Sequence, residues 1–250
     1  MAARRIGSSN REAERRIMDA LQIRLGARME RAMSNALAQD YAQAADKIER
    51  YEPFTVSGDS TGRILLAGWD TAAQTFGNRL LDQIGKRHGS MERKELISGV
   101  FRAAFVAFAT EWVATKVTQI NRTTEDQIRE LVTRGEQEGA GVEAIARAIR
   151  QNMPQMSRLR SHVIARTETH MAASWANQTA AEESGIELVK EWCSSADGRT
   201  REDHYEADRQ TVPLDMPFEV GGWPLLYPGD PNGPAAQVVS CRCQSLFVEP

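Results

Sequence analysis

The sequence predicts a mostly α fold with a small C-terminal α+β module: a long helical stem, a helical middle, then short antiparallel strands and a long ordered loop. Three observations predict it. Over the first 184 residues, apolar side chains recur at steps of three and four, the period of an amphipathic helix. From Ile186 to Cys193 the pattern becomes alternating and rich in β-favouring residues. Seven of the nine prolines fall after residue 212, where regular helix cannot persist. The expected segments are a stem over 1–52, a helical segment over 53–119, and a C-terminal domain over 120–250. Within that domain, helices are expected across 123–184 and a strand and loop module over 186–250.

In the stem, Ile17, Leu21, Leu25, Met29, Met33, Leu37, Tyr41, Ala45 and Ile48 mark one helix from Asn10 to about Tyr51. Their steps are mostly fours, so the stripe drifts around the helix and holds no heptad seam. It is expected to pack on later helices or on another subunit. Arg4, Arg5, Arg11, Arg15 and Arg16 give this end a basic character and are expected to be solvated. Pro53, Gly58 and Gly62 mark a break, residues 63–84 a helix, and Gly85 and Gly89 a second break. Ser90 is expected to cap a helix to about Ile120, with Ile97, Phe101, Phe105, Phe108 and Trp112 on its core face.

Thr124 followed by Gln127 has the spacing of a capping box, which predicts a fresh helix start there. That helix is expected to end at Gly135 or Gly139, and the next to open at Gly141 and stop at Met153-Pro154. A last helix is expected from Ser157 to Glu183, closed by Gly185. Beyond the alternating run, Asp197-Gly198 suits a turn. Thr200 with Asp203 predicts the cap of a short helix, Arg201 to Ala207, that presents His204. Residues 211–234 are expected to form a loop pinned by Phe218, Trp223, Leu225, Leu226 and Tyr227. Residues 241–249 are expected to form a final strand antiparallel to 186–193.

Composition narrows the function. At 41% apolar and 26% charged, the 250-residue chain is ordinary for a globular protein, and no apolar run is long enough for a membrane span. The charged N-terminus has no apolar signal region, so an unprocessed intracellular product with reduced thiols is expected. The net charge of −3 is uneven. Residues 1–50 carry 10 basic against 7 acidic side chains, residues 51–184 carry 16 of each, and residues 185–250 carry 5 against 11. An acidic C-terminal module argues for a protein partner before a DNA partner. The local exception is Arg147, Arg150, Arg158 and Arg160, a basic stretch suited to non-specific phosphate contact with double-stranded DNA.

Four separated motifs then occur in order: Ile164-Ala-Arg-Thr-Glu-Thr on a helix, Trp192 followed by Asp197-Gly-Arg-Thr-Arg-x-x-His204, Tyr227-Pro-Gly-Asp-Pro, and Cys241-Arg-Cys. Together they resemble the phage Mu protein F-like head-morphogenesis family, over roughly Ile120 to Val248. The chain departs from that family's pattern at two positions. Arg209 stands where the family has Gly after Asp208, and Ser240 where an Asn commonly precedes the Cys-Arg-Cys. The resemblance implies a minor capsid protein, present in few copies next to the portal, that affects DNA packaging or delivery and catalyses nothing. In some bacterial proteins a similar domain precedes a toxin; no toxin segment is expected here.

The signature residues admit three chemistries. Arg166, Thr167, Glu168, Trp192, Asp197, Arg199, Arg201 and His204 are expected to form a structural network, with Arg–carboxylate pairs locking the helix to the strand and turn module. Glu168, Asp197 and His204 could instead hold a divalent ion in a metal-dependent hydrolase or nuclease, the alternative function. Cys241 and Cys243, with His204 and Cys193, have the composition of a structural Zn²⁺ site. The competing reading makes the thiols buried apolar groups and bonds His204 to Asp197 or Glu168; no cofactor is then expected. The resulting expectation is a minor head protein of a tailed phage or prophage, with no catalytic residues. Its expected partners are portal, major capsid and scaffold proteins. It is expected in several copies in the virion, at the capsid interior or portal vertex, after assembly in the host cytoplasm, with no membrane contact.

Overall fold

The computed structural model describes residues 4–8, 10–88 and 92–250, apart from the side chains of residues 4 and 92–101. Gly89, Ser90 and the side chains of Ile97 and Phe101 therefore lie outside the described residues. Among the described residues the chain runs β1 (Arg4–Arg5), α1 (Arg11–Glu49), α2 (Asp59–His88), α3 (Glu92–Gln137) and α4 (Val142–Glu183). It continues through β2 (Val189–Cys193), α5 (Glu202–Glu206), β3 (Thr211–Pro213), β4 (Phe218–Val220), β5 (Trp223–Leu225), α6 (Ala235–Val238) and β6 (Gln244–Glu249). The protein is thus mostly α with a small C-terminal α+β module. No described helix is long and apolar enough to cross a membrane.

Two compact units are present, and neither is contiguous. One combines residues 1–26, 68–107 and 166–250; the other combines 27–67 and 108–165, so the division falls inside each of the four long helices. The expected segments 1–52, 53–119 and 120–250, by contrast, run along the chain.

The second unit is held by apolar packing. Met29, Met33, Leu37, Tyr41, Leu65, Val113, Ile120, Ile128, Ile145 and Ile149 are buried in one cluster, with Met153, Met156 and Ile164 against it. A polar strut crosses this core. Arg160 donates to the Tyr41 hydroxyl (2.9 Å), to Thr124 Oγ1 (2.7 Å) and to the Ile120 carbonyl (2.9 Å), and the Tyr41 hydroxyl donates to Gln127.

That strut corrects two sequence expectations. No helix starts at 123, because α3 runs unbroken from Glu92 to Gln137. Thr124 does not cap: its hydroxyl donates back to the Ile120 carbonyl at 2.9 Å, the i−4 bond open to a mid-helix threonine, and Gln127 is engaged by Tyr41. Pro154 likewise does not end its helix, since α4 continues through it to Glu183. The proline removes one backbone bond, and apolar residues on both sides of it enter the same core. Gly85, expected in a break, lies inside α2.

The first unit contains the four-stranded antiparallel sheet in the order β1-β6-β2-β3. β2 and β6 pair from Val189 with Val248 to Cys193 with Gln244, as the alternating patterns predict. β1 was not legible in the sequence. It pairs Arg5 with Val248, and the next residue, Ile6, is buried and donates its N–H to the Phe247 carbonyl at 2.8 Å. The expected loop over 211–234 is more regular than predicted: β3 joins the sheet and β4-β5 form a separate hairpin. Phe218, Leu225 and Tyr227 pin it from inside, whereas Trp223 is half exposed and does not.

Candidate functional site

The module's interior is polar to an unusual degree. Lys190, on the central strand β2, has no exposed surface. Its ammonium donates to the carbonyls of Leu214 (2.6 Å) and Leu226 (2.7 Å), which ties the strand to both arms of the 211–234 segment. Burial pushes this ammonium down to about 8, against the attraction of Glu182, Asp215 and Asp230. Asp230, within Tyr227-Pro-Gly-Asp-Pro, accepts from the N–H groups of Leu226 (2.8 Å) and Asn232 (2.9 Å) and so closes its own turn.

Among the described residues no hydrogen-bonded Arg–carboxylate pair joins the Arg166–Glu168 helix to the module, where such a lock was expected. Glu168 is buried and accepts from Trp69 Nε1 at 3.1 Å. Thr167 Oγ1 accepts the Ser240 N–H at 3.0 Å, which does join α4 to the Cys-Arg-Cys turn. Asp197 lies at the surface in a two-pronged pair with Arg242 (Nη2 at 2.5 Å), and this pair holds its carboxyl well below the usual range. Arg166 sits near Arg242 and Arg199. Burial and these two like charges lower its pKa, and Asp197 and Asp19 counter them. Arg199 donates only its backbone N–H to Asp197, at 3.0 Å. Arg201 donates to the Val239 carbonyl at 2.5 Å. Thr200 does not cap α5; its hydroxyl stays with Asp197 and Ser195.

Three of the N-terminal arginines are also not solvated, whereas Arg16 is exposed as expected and the Arg4 side chain lies outside the described residues. Arg11 spans Glu191 (2.5 Å) and Asp208 (2.5 Å), Arg5 takes Glu191 (2.8 Å), and Arg15 pairs with Glu12 and Asp19. Asp208 additionally accepts the Ser194 N–H at 2.7 Å; burial pushes its carboxyl up, but these bonds and the Arg11 charge outweigh it and hold it below its ordinary range. Arg209 adopts the left-handed conformation, φ +69°, so the turn that the family makes with Gly survives with a side chain in it. Ser240, at φ +55°, occupies the same region, which explains why an Asn suits that position.

Of the basic stretch, Arg150 is taken by Asp46 and Glu49 (both 2.6 Å) and Arg160 forms the strut, while Arg147 and Arg158 are exposed.

His204, buried on α5, bonds to neither Asp197 nor Glu168, contrary to expectation. Its Nδ1 lies 3.3 Å from Cys243 Sγ and 3.6 Å from Cys241 Sγ, and its Nε2 lies 2.8 Å from Gln237 Oε1. Trp192 packs edge-on to the ring, at 5.5 Å between centroids, and donates its indole N–H to the His204 carbonyl at 3.2 Å. Both thiols are buried, and the ligand atoms of His204, Cys241 and Cys243 fall within 4.8 Å of one another. Burial pushes the Cys241 thiol up, but the Cys243 thiol and the imidazoles of His170 and His204 outweigh it and hold Cys241 well below its ordinary range. Cys193 stands apart. Its sulfur is 3.9 Å from the Ser194 carbonyl, and burial pushes it up to about 12. His170, Gln237 and Arg242 were not expected at the site; of the three, only Arg242 lies in one of the motifs, Cys241-Arg-Cys.

The family described as Phage Mu protein F like protein matches residues 126–246. That segment belongs to the family. The match spans all four motifs, and the Mu F-like segment covers β2 to the start of β6 together with α4 and the last turns of α3. An NAD(+)–arginine ADP-ribosyltransferase of Enterococcus faecalis is 33% identical over 114 residues, covering 44% of this chain and 23% of that protein. The chain therefore spans about a quarter of the length of this relative. No solved structure matches.

Proposed function

We propose that the chain is a minor head protein of a tailed phage or prophage, acting in head assembly beside the portal and in DNA packaging or delivery, without catalysis. The Mu F-like match over 126–246 carries this reading. The site geometry supports the non-enzymatic part. Glu168 is engaged by Trp69, Asp197 by Arg242, and His204 by two thiols and Gln237, so the three residues a hydrolase would use serve different local structures. The expected partners are portal, major capsid and scaffold proteins, in the host cytoplasm first and then at the capsid interior or portal vertex. Arg147 and Arg158 are the side chains available for non-specific DNA contact.

The test is co-expression with the portal, scaffold and major capsid proteins of the same phage, followed by quantitative mass spectrometry of purified procapsids. A few copies per particle, lost when the portal is omitted, is the expected result; absence from particles overturns the assignment. Purified protein is expected to leave plasmid DNA intact in Mg²⁺ or Mn²⁺. Metal-dependent cleavage abolished by Asp197→Ala would overturn the non-enzymatic reading.

A further inference from the structure

The turn before β6 and the short helix α5 bring one imidazole and two sulfurs to a point. His204 is 2% exposed, and Cys241 and Cys243 are each 1% exposed. Their three ligand atoms lie within 4.8 Å of one another. The two N···S separations, 3.3 and 3.6 Å, are close to the edge of about 3.6 Å that Zn–N and Zn–S bond lengths give in a tetrahedron. Backbone bonds hold the sulfurs in place. The Ser240 N–H donates to Thr167 Oγ1 at 3.0 Å, and the Cys241 N–H donates to the Val238 carbonyl at 3.2 Å. Directly after Cys243 the chain enters β6.

A relay on the far side of the ring sets its tautomer. The Asp203 carboxylate can only accept, so the Gln237 amide meets it through Nε2–H, at 2.6 Å. Gln237 Oε1 is then the atom 2.8 Å from His204 Nε2, and an acceptor there requires the ring proton on Nε2. In the neutral ring the Nδ1 lone pair therefore faces the two sulfurs. Gly221, at φ +56°, lets backbone close over this relay: a Cβ there would strike Asp203 Oδ2 and lie 2.9 Å from Gln237 Nε2. An outer partner that fixes the tautomer is the usual companion of a metal-ligating histidine.

We propose that His204 Nδ1 and the thiolates of Cys241 and Cys243 bind one Zn²⁺ ion, with a water molecule completing the tetrahedron. Thiolates favour zinc over the hard cations Mg²⁺ and Ca²⁺. Binding releases both thiol protons. Two thiolates then offset the ion's charge, and the imidazole and the water are neutral, so the buried assembly is neutral. Three protein ligands and a water also make up many catalytic zinc centres. Here the burial of all three ligands keeps substrate away, and the ion is a staple. It ties α5 to the turn before β6, in a module whose own apolar cluster is small. Cys193 is not a ligand; its sulfur faces the Ser194 carbonyl.

The test is metal analysis of the full chain purified without chelator from zinc-supplemented cells. One zinc per chain is expected, and zinc below about a tenth of an equivalent overturns the proposal in favour of a metal-free thiol and imidazole cluster. Because ligand variants can lose the fold, the wild-type chain carries a second arm. Co²⁺ added after chelation is expected to give thiolate-to-metal charge-transfer and tetrahedral d–d bands; octahedral bands without charge transfer overturn the assignment. Two variants outside the ligand set sharpen it. Cys193→Ala is expected to keep full zinc, and its loss from a variant with unchanged circular dichroism refutes this ligand set. Gln237→Leu is expected to weaken zinc binding about 10- to 100-fold, and an unchanged affinity refutes His204 as the oriented ligand. The proposal stands apart from the head-protein reading, and its failure leaves that reading intact.

Discussion

The helical unit and the C-terminal module solve the same problem with different materials. In the helical unit the core cluster is built of Met, Leu, Ile, Val, Tyr and Ala from four helix segments, with the Arg160 strut across it and a few small buried hydroxyls, those of Thr61, Ser157 and Ser161, beside it. In the module the apolar cluster is Trp192, Ala207, Phe218, Val220, Leu225 and two cysteines, and around it lie a buried lysine, two buried histidines and a buried aspartate. Helices satisfy their own backbone, so packing them needs only apolar stripes. A segment of three-residue strands and turns leaves carbonyls and N–H groups over, and side chains must reach them. The module's polar interior follows from its irregular backbone.

The substitution with the largest expected effect is Lys190→Met. In an apolar core this swap would be nearly neutral or stabilising. Here it takes the ammonium from the Leu226 carbonyl, and destabilisation of about 2 kcal/mol is expected in urea titration of the folded chain. A variant as stable as the parent would break the comparison.

The helical unit should show the opposite response at Asp40. Burial raises this carboxyl from 3.8 to about 6, although Arg160 acts against the rise. The folded chain therefore holds the proton more tightly than the unfolded one, and stability falls as pH rises from about 4 through 6. Asp40→Asn is expected to stabilise at pH 7 by on the order of 1 kcal/mol, discounted for partial exposure. The gain should shrink below pH 5, as thermal melts across pH would show. A gain that grows on acidification would contradict the assignment.

The smallest expected effect sharpens the module's side of the contrast. Arg209→Gly removes a side chain from the left-handed region at an exposed turn and should raise stability by about 0.5–1 kcal/mol. An equal or lower melting temperature would show that the Arg209 side chain earns its place through contacts of its own.

Much of the fold was legible because its signals are local. The four-residue stripe of the stem, Gly141 before α4, Gly185 after it, and the alternation in Ile186 to Cys193 each act within a turn or a strand. The misplaced boundaries at Thr124 and Pro154 came from local signals that packing overrode, since the residues flanking both share one core. The network around Glu168 and Asp197 was misjudged for a related reason. Charge counts show that acids and arginines balance, and not that Trp69 reaches Glu168 or that Arg242 reaches Asp197 first.

By itself, the sequence determined a helical protein with an acidic, proline-rich end, the pairing of β2 with β6, and the motifs that place residues 126–246 in the Mu F-like family. Only the tertiary structure decided which ligands share a point in space. Cys193 and Cys243 look equivalent in composition, but the Cys193 sulfur faces the Ser194 carbonyl while that of Cys243 faces the His204 ring. His170, one of several polar residues on a long helix, was brought against the turn at Gly229. Periodicity fixes which face of a helix is buried. Which distant residue meets that face depends on chain crossings that no local pattern encodes.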